Sequence, residues 1–377
     1  MLGDLARSPR MLNHVRALVA HGHPVSLIGY RERPVDAPDG VRICRLHPLR
    51  PAGARSSTLK FLVWSAIRMS LVCVESVVRL VRERPACILV QNPPSFPALL
   101  AAWCAARLRR ARLVIDWHNY GYTVLALRLP PRHPMLRLAR WYELAAGRLA
   151  GAHLCVSAAF REDLAHSGIA ARVLYDRPVE LAPCAPPAAR DRGGRLVAVC
   201  PTGFAKDEDL GLLLAAVTGL VPAAANPRVI LELHITGDGP GRADFEQRIA
   251  ALALPAVVFH TGFHPWTVYR DLMRRADLGI SLHRSSSGVD LPMKVVDMFA
   301  ARVPVCALAC GGSQSEQITD GVTGWLFSDA EQLAALLRSL IENPGLLDTA
   351  RYNIARDWRE TWAQAWEREA APAFRPV

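Results

Sequence analysis

Between Ser285 and Asp297 the chain reads S-S-S-G-V-D-L-P-M-K-V-V-D, three hydroxyls and a glycine leading into an apolar run of helical spacing. Small residues opening a helix present free backbone N–H groups at a positive dipole end, a combination that suits phosphate. Ser285, Ser286, Ser287 and Gly288 are therefore candidates to cradle a diphosphate, and Lys294 can add a point charge. A plainer use of the same serines is to cap the following helix. Asp297 lies where a carboxylate can take ribose hydroxyls, and Asp290 is a second carboxylate for a donor sugar or a partner of the helix dipole. Gly237 and Gly239, in G-D-G-P, follow a β-rich run and permit a tight turn with close backbone approach to a ligand. Together these residues point to a nucleotide-diphosphate ligand, a nucleotide sugar above all.

A second constellation is D-W-H-N-Y-G at Asp116–Gly121. His118 titrates near neutrality and can act as a base or hold a sugar, while Asp116 can orient it or be the base itself. Asp4, in the first loop, competes for that role. Asn119 and Tyr120 are candidates for an acceptor, as is Glu143 of W-Y-E, which is also a fourth candidate base. Spacing does not choose among them. Asp207-Glu208-Asp209 matches D-x-D, a divalent-metal pattern, but acids at the start of a helix read better as partners of its dipole.

These residues need a scaffold, and the pattern around them supplies one. Short β-branched runs (25–30, 41–44, 87–91, 112–116, 153–156, 172–175) alternate with helical stretches (10–21, 59–84, 97–109, 134–150, 158–167). After Tyr175 the alternation stops, then restarts at Leu196 and continues to Asn343. This predicts an α/β protein of two Rossmann-like, doubly wound parallel sheets with a ligand cleft between them. The expected division is residues 1–178, a linker at 179–194 rich in proline and glycine pairs, residues 195–345, and a closing segment at 346–377. In that segment Trp358, Trp362 and Trp366 share the face of one expected helix packed back across the domains. Almost nothing precedes the loop at Gly3–Pro9, so the first strand of the first sheet is expected to be missing or one strand short.

Composition narrows the class. Hydrophobic content of 51% in 377 residues is ample for two cores. Nine scattered cysteines without a C-x-x-C pair argue for a reducing compartment and against a structural zinc site. A net charge of +11 suits an anionic partner, and with no nucleic-acid motif the partners considered are a nucleotide sugar and an acidic membrane surface. Nearly all the basic residues are arginine, so Lys60, Lys206 and Lys294 stand out. No signal peptide is visible, and the longest apolar stretch, 61–81, is interrupted by Arg68, Glu75 and Arg79. Such a helix with flanking basic residues can lie on an anionic bilayer or pack over the sheet.

Several blocks carry a resemblance: G-D-L-A-R-S-P-R-M at 3–11, Q-N-P-P at 91–94, V-I-D-W-H-N-Y-G-Y at 114–122, T-G-D-G-P at 236–240 and H-R-S-S-S-G-V-D-L-P-M-K-V-V-D-M-F at 283–299. In order and over most of the chain, they resemble the chitobiosyldiphosphodolichol beta-mannosyltransferases, two-domain (GT-B) glycosyltransferases. The resemblance implies GDP-mannose as donor, inversion at the anomeric carbon, no tightly bound metal or other cofactor, and a polyprenyl- or dolichyl-diphosphate-linked glycan as acceptor. It also implies a peripheral position on the cytosolic face of a membrane. The family's N-terminal membrane anchor has no counterpart here, which with the arginine- and alanine-rich composition leads us to expect a bacterial relative. The first glutamate of the two-glutamate motif in related transferases is also without a counterpart; its place is Val289.

Overall fold

The computed structural model describes residues 4–47, 58–181, 195–205, 208–220, 229–252, 254–309 and 311–375. They fall into two units: Met1–Asp176 with Trp362–Val377, and Arg177–Thr361.

In the first unit, α1 (Pro9–Ala20) is followed by β1 (Ser26–Gly29), β2 (Arg42–Arg45), the long α2 (Thr58–Arg82), β3 (Cys87–Asn92) and α3 (Ala98–Arg109). Then come β4 (Arg112–Trp117), α4 (Gly121–Ala126), α5 (Pro134–Gly147), β5 (Ala152–Cys155), α6 (Ala158–His166) and β6 (Arg172–Val173). β3-β4-β5-β6 form a parallel sheet, and β1 and β2 a separate parallel pair. β4, R-L-V-I-D-W, is buried on both faces, as a strand between two helical layers must be. Residues 1–3, where the first strand is in question, lie outside the described residues; Asp4 makes a single parallel bridge to Tyr30.

The second unit carries β7 (Leu196–Pro201), α7 (Leu210–Leu220), β8 (Leu231–Thr236), α8 (Arg242–Leu252), β9 (Val257–Gly262), α9 (Trp266–Arg275), β10 (Leu278–Ser281) and α10 (Met293–Ala300). It closes with β11 (Val305–Leu308), β12 (Gly324–Phe327), α11 (Ala330–Glu342) and α12 (Gly345–Asp357). Its sheet is all parallel in the order β12-β11-β10-β7-β8-β9. The chain runs outward from β7 to β9 and then restarts on the other side with β10. Strand order therefore reverses between β7 and β10, the point at which open α/β sheets bind ligands beyond their carboxyl ends. Leu213, Val217, Leu231, Leu233, Ile235, Leu278, Ile280 and Leu333 are fully buried at the centre of the core.

Two Rossmann-like α/β units are thus present, and the expected elements appear in order with ends shifted by a few residues. β12 and α4 were not anticipated. Residues 182–194 of the expected linker lie outside the described residues. The single terminal helix is a misreading: three helices, α12, α13 (Trp362–Glu369) and α14 (Ala371–Phe374), occupy that segment. Trp358 caps α12 and packs on Phe299, whereas Trp362 and Trp366 belong to α13 in the first unit's core.

Candidate functional site

In the first unit the chemistry gathers at the carboxyl end of β4. Asp116 is fully buried. The Arg10 guanidinium grips it with two bonds of 2.8 Å, from Nε and Nη2, and reaches Asp176 at 2.9 Å and the Leu174 carbonyl at 2.8 Å through Nη1. His14 Nε2 lies 3.1 Å and His118 Nε2 3.0 Å from Asp116 Oδ2. The Trp366 indole N–H, which can only donate, reaches His14 Nδ1 at 2.9 Å. His14 must then carry its proton on Nε2 and donate it to Asp116. Burial pushes the His14 imidazole below its usual range, consistent with that neutral tautomer. Burial would raise the Asp116 carboxyl, but Arg10 and His118 hold it well below the usual carboxylate range.

Asp116 is therefore an anion with both oxygens committed, an arrangement that suits it to orient His118. An anionic Asp116 accepts from His118 Nε2–H, which leaves the His118 Nδ1 lone pair without a hydrogen-bond partner among the described residues. The His118 side chain is 18% exposed. Asp4 caps the short 3₁₀ turn that follows it and accepts from Glu32 N at 3.2 Å. Its Oδ2 is buried and without a hydrogen bond.

The acceptor candidates take part in a hydrogen-bond network around the His118 loop. Glu143 is fully buried and takes Asn92 Nδ2 at 2.5 Å, Gly121 N at 2.7 Å and Tyr122 N at 3.0 Å. It fastens the Q-N-P-P loop to the first turn of α4, and burial raises its carboxyl. Tyr120 is 3% exposed, its hydroxyl on Asp163 at 2.5 Å and its ring against Trp117 and Phe160. Asn119 Oδ1 accepts from Tyr120 N at 2.7 Å. All three help to shape the His118 loop.

In the second unit, the loops after β7, β8, β9, β10 and β11 share one edge of the parallel sheet. The serines do not cap α10, whose N-cap is Pro292. Ser285 Oγ instead donates to Asp290 and accepts Gly288 N at 2.6 Å, and His283 Nε2 meets Asp290 at 2.9 Å. Asp290 is buried and, although burial opposes its charge, the His283 bond lowers its carboxyl. It organises the loop. Gly288 takes φ +77°, a region costly for other residues. Ser313, fully buried, donates to the carbonyls of Gly288 and Asp290 at 3.1 Å, fixing the loop from below.

Gly237 and Gly239 are required by the chain itself: a Cβ at either would overlap the carbonyl of Thr202 or Gly203. Lys294 pairs with Glu208, whose other oxygen accepts Thr202 Oγ1 at 2.8 Å and Gly203 N at 2.5 Å. Glu208 also bridges His283 across the β7–β10 switch point. Asp209 caps α7 and binds Arg284, while Asp207 lies outside the described residues. Asp297, one turn beyond Lys294, accepts from the Tyr269 hydroxyl at 3.3 Å. Tyr269, Thr236, Gly237, Phe263, His264 and Trp266 line an open hollow of about 260 Å³. Burial and then Asp297 push the Tyr269 phenol up. Thr236 Oγ1 is buried there with no partner.

Sequence reasoning missed Arg10, His14, Asp176, Trp366, Glu208 and Tyr269. Arg10 stood inside a quoted block, but nothing local shows that an arginine on α1 will meet a carboxylate 106 residues on.

Comparison with known proteins fits this arrangement. Residues 8–175 match the model described as "Glycosyl transferase 4-like domain", and residues 195–343 match "Glycosyl transferases group 1". The chitobiosyldiphosphodolichol beta-mannosyltransferase of Mus musculus is 34% identical, over 99% of this chain and 87% of its own length. That of Homo sapiens is 33% identical, over 99% and 91%. "UDP-glycosyltransferase TURAN" of Arabidopsis thaliana is 32% identical over 100% and 96%. Among solved structures, Anabaena Alr3699/HepE in complex with UDP aligns with a TM-score of 0.65 at 17% identity, covering 97% of this chain and 96% of that one. That likeness carries the GT-B fold. The chain is a glycosyltransferase and belongs to the chitobiosyldiphosphodolichol beta-mannosyltransferase family.

Proposed function

We propose that the enzyme transfers mannose from GDP-mannose to a lipid-diphosphate-linked sugar with inversion. The observation that carries the reaction type is His118, its Nε2 held by a buried anionic carboxylate and its Nδ1 lone pair unused. In an inverting step the acceptor hydroxyl loses its proton to His118 Nδ1, and its oxygen bonds to the anomeric carbon. The bond from that carbon to the diphosphate breaks, and GDP leaves with the electron pair. Asp116 stabilises the imidazolium that forms. On the second unit, Lys294, beside the Ser285–Gly288 loop, answers the diphosphate charge, Asp297 takes the ribose, and the Tyr269–Trp266 hollow takes the base. The mannosyl group and the lipid-diphosphate acceptor are supported by the relatives' names, and GDP-mannose by the family resemblance alone; one relative is named a UDP-glycosyltransferase.

A lipid acceptor needs an enzyme that reaches a bilayer. No helix among the described residues is long and apolar enough to cross a membrane. In the first unit, however, Trp64, Ile67, Leu71, Val74 and Val78 of α2 form an exposed stripe. α3 joins α2 to α5, where Met135, Leu138 and Trp141 are exposed beside Arg137 and Arg140. We assign this apolar, arginine-flanked face to an anionic lipid surface.

Turnover of radiolabelled GDP-mannose with a panel of polyprenyl-diphosphate sugars, with UDP-sugars as controls, tests the assignment. Transfer from a UDP-sugar and none from GDP-mannose would overturn the donor.

A further inference from the structure

β8 and β9 bring three metal-ligand side chains together. Alternation on β8 sends Leu231, Leu233 and Ile235 into the core and leaves Glu232 and His234 on the opposite face. β9 pairs in parallel with His260 directly beside His234. His234 Nε2 and His260 Nε2 lie 3.0 and 3.3 Å from the same atom, Glu232 Oε1. The two rings stack with centroids 4.5 Å apart. Arg195 Nε holds the other oxygen, Oε2, at 3.3 Å and so turns Oε1 toward the imidazoles. Among the described residues this is the group of three such side chains whose ligand atoms all lie within 4.8 Å of one another.

A zinc ion bound about 2.0–2.2 Å from nitrogen and oxygen ligands sets tetrahedral neighbours about 3.3 Å apart. Two of the three spacings already match. Two imidazoles and one carboxylate oxygen form a donor set suited to zinc, and to copper or nickel, rather than to magnesium. Hydrogen bonding of the ligating carboxylate through its second oxygen is the usual support for such a ligand. Neutral histidines bind through Nε2 in the Nδ1–H tautomer, so the ion replaces the two ring protons that now face Glu232.

We propose that Glu232, His234 and His260 form a binding site for a zinc-class divalent ion, with water completing the fourth position. The site does not depend on the donor or acceptor assignment. It lies on the surface, with the His260 side chain 48% exposed, so it can fill and empty without unfolding. The Arg195 charge places it among exchangeable rather than tightly bound sites.

Titration of the full chain with Co²⁺, followed by visible absorption, tests the site. One equivalent should give tetrahedral d–d bands that Zn²⁺ abolishes and Mg²⁺ does not. His260→Gln, at an exposed position, should keep the fold by circular dichroism and weaken Co²⁺ binding by at least about tenfold; Glu232→Gln should do the same. Zn²⁺ should raise the melting temperature of the parent and not of His260→Gln. Absence of the bands, binding unchanged in His260→Gln, or a thiolate-to-cobalt charge-transfer band showing capture by cysteines would each overturn the proposal.

Discussion

Asp116 accepts from Arg10, His14 and His118, and at the scale of single residues that commitment makes the strongest expectations. His118→Gln should lower kcat by about 10²–10⁴-fold with little change in the melting temperature, because it removes a base and not a core group. Asp116→Asn should do more damage. It leaves the buried Arg10 charge without its main partner, a defect of about 3–5 kcal/mol, so unfolding in urea should shift strongly as activity falls. Lys294→Ala should weaken GDP binding measured by calorimetry; unchanged affinity would remove Lys294 from the phosphate site. The histidines set a pH dependence. Burial holds the imidazole of His153 down to about 4, and His14 is also lowered by burial. Each stays neutral in the fold while the unfolded chain takes up protons below about pH 6.5. Stability should therefore fall as pH drops from 7 toward 5, with the His153 part continuing to about 4. A melting temperature flat across that range would refute this. Asp116, lowered in the fold, adds stability that is present at neutral pH and is lost only in stronger acid.

At the scale of elements, α13 supplies the surprise. Trp366 donates to His14, and Trp362 lies under the Arg10 guanidinium with its centroid 5.2 Å away. Trp366→Phe keeps the ring but removes the donor that fixes the His14 tautomer. We expect kcat to fall with donor KM unchanged, and the pH–rate profile to shift; a profile identical to the parent would mean that Trp366 only packs. Alternation made the parallel sheets legible, since β-branched runs such as L-V-I-D-W have few other uses. β12 escaped because G-W-L-F is four residues opening on glycine, and α4 because G-Y-T-V-L-A is a single short turn of weak helix formers. The W-x3-W-x3-W spacing misled because a face repeats every four residues whether or not the helix continues past Trp358. Within the site, types and loops were legible, but partners were not. The sequence context of Glu143 cannot show that Asn92, Gly121 and Tyr122 already reach its oxygens, nor that of Ser285 and Asp290 that they bond to one another within their loop.

At the scale of the molecule, charge and apolar surface should act together. In the proposed membrane role, the net charge of +11 supplies attraction to an anionic surface and the α2 stripe supplies apolar area to bury there. Leu71→Glu with Val74→Glu should abolish co-sedimentation with vesicles containing anionic lipid, while soluble-acceptor turnover persists. Retained binding by the double variant would exclude the stripe. Residues before 177 and after 361 belong to one body, so the 177–361 unit is in effect inserted into the other. A ribosome therefore delivers most of the first body early, yet the tryptophans that close over Arg10 and His14 only after the whole of the second unit. The unit begun first is the one finished last. Until then a buried arginine and two carboxylates wait in an open core, so deleting residues 362–377 should impair the proposed base more than nucleotide binding.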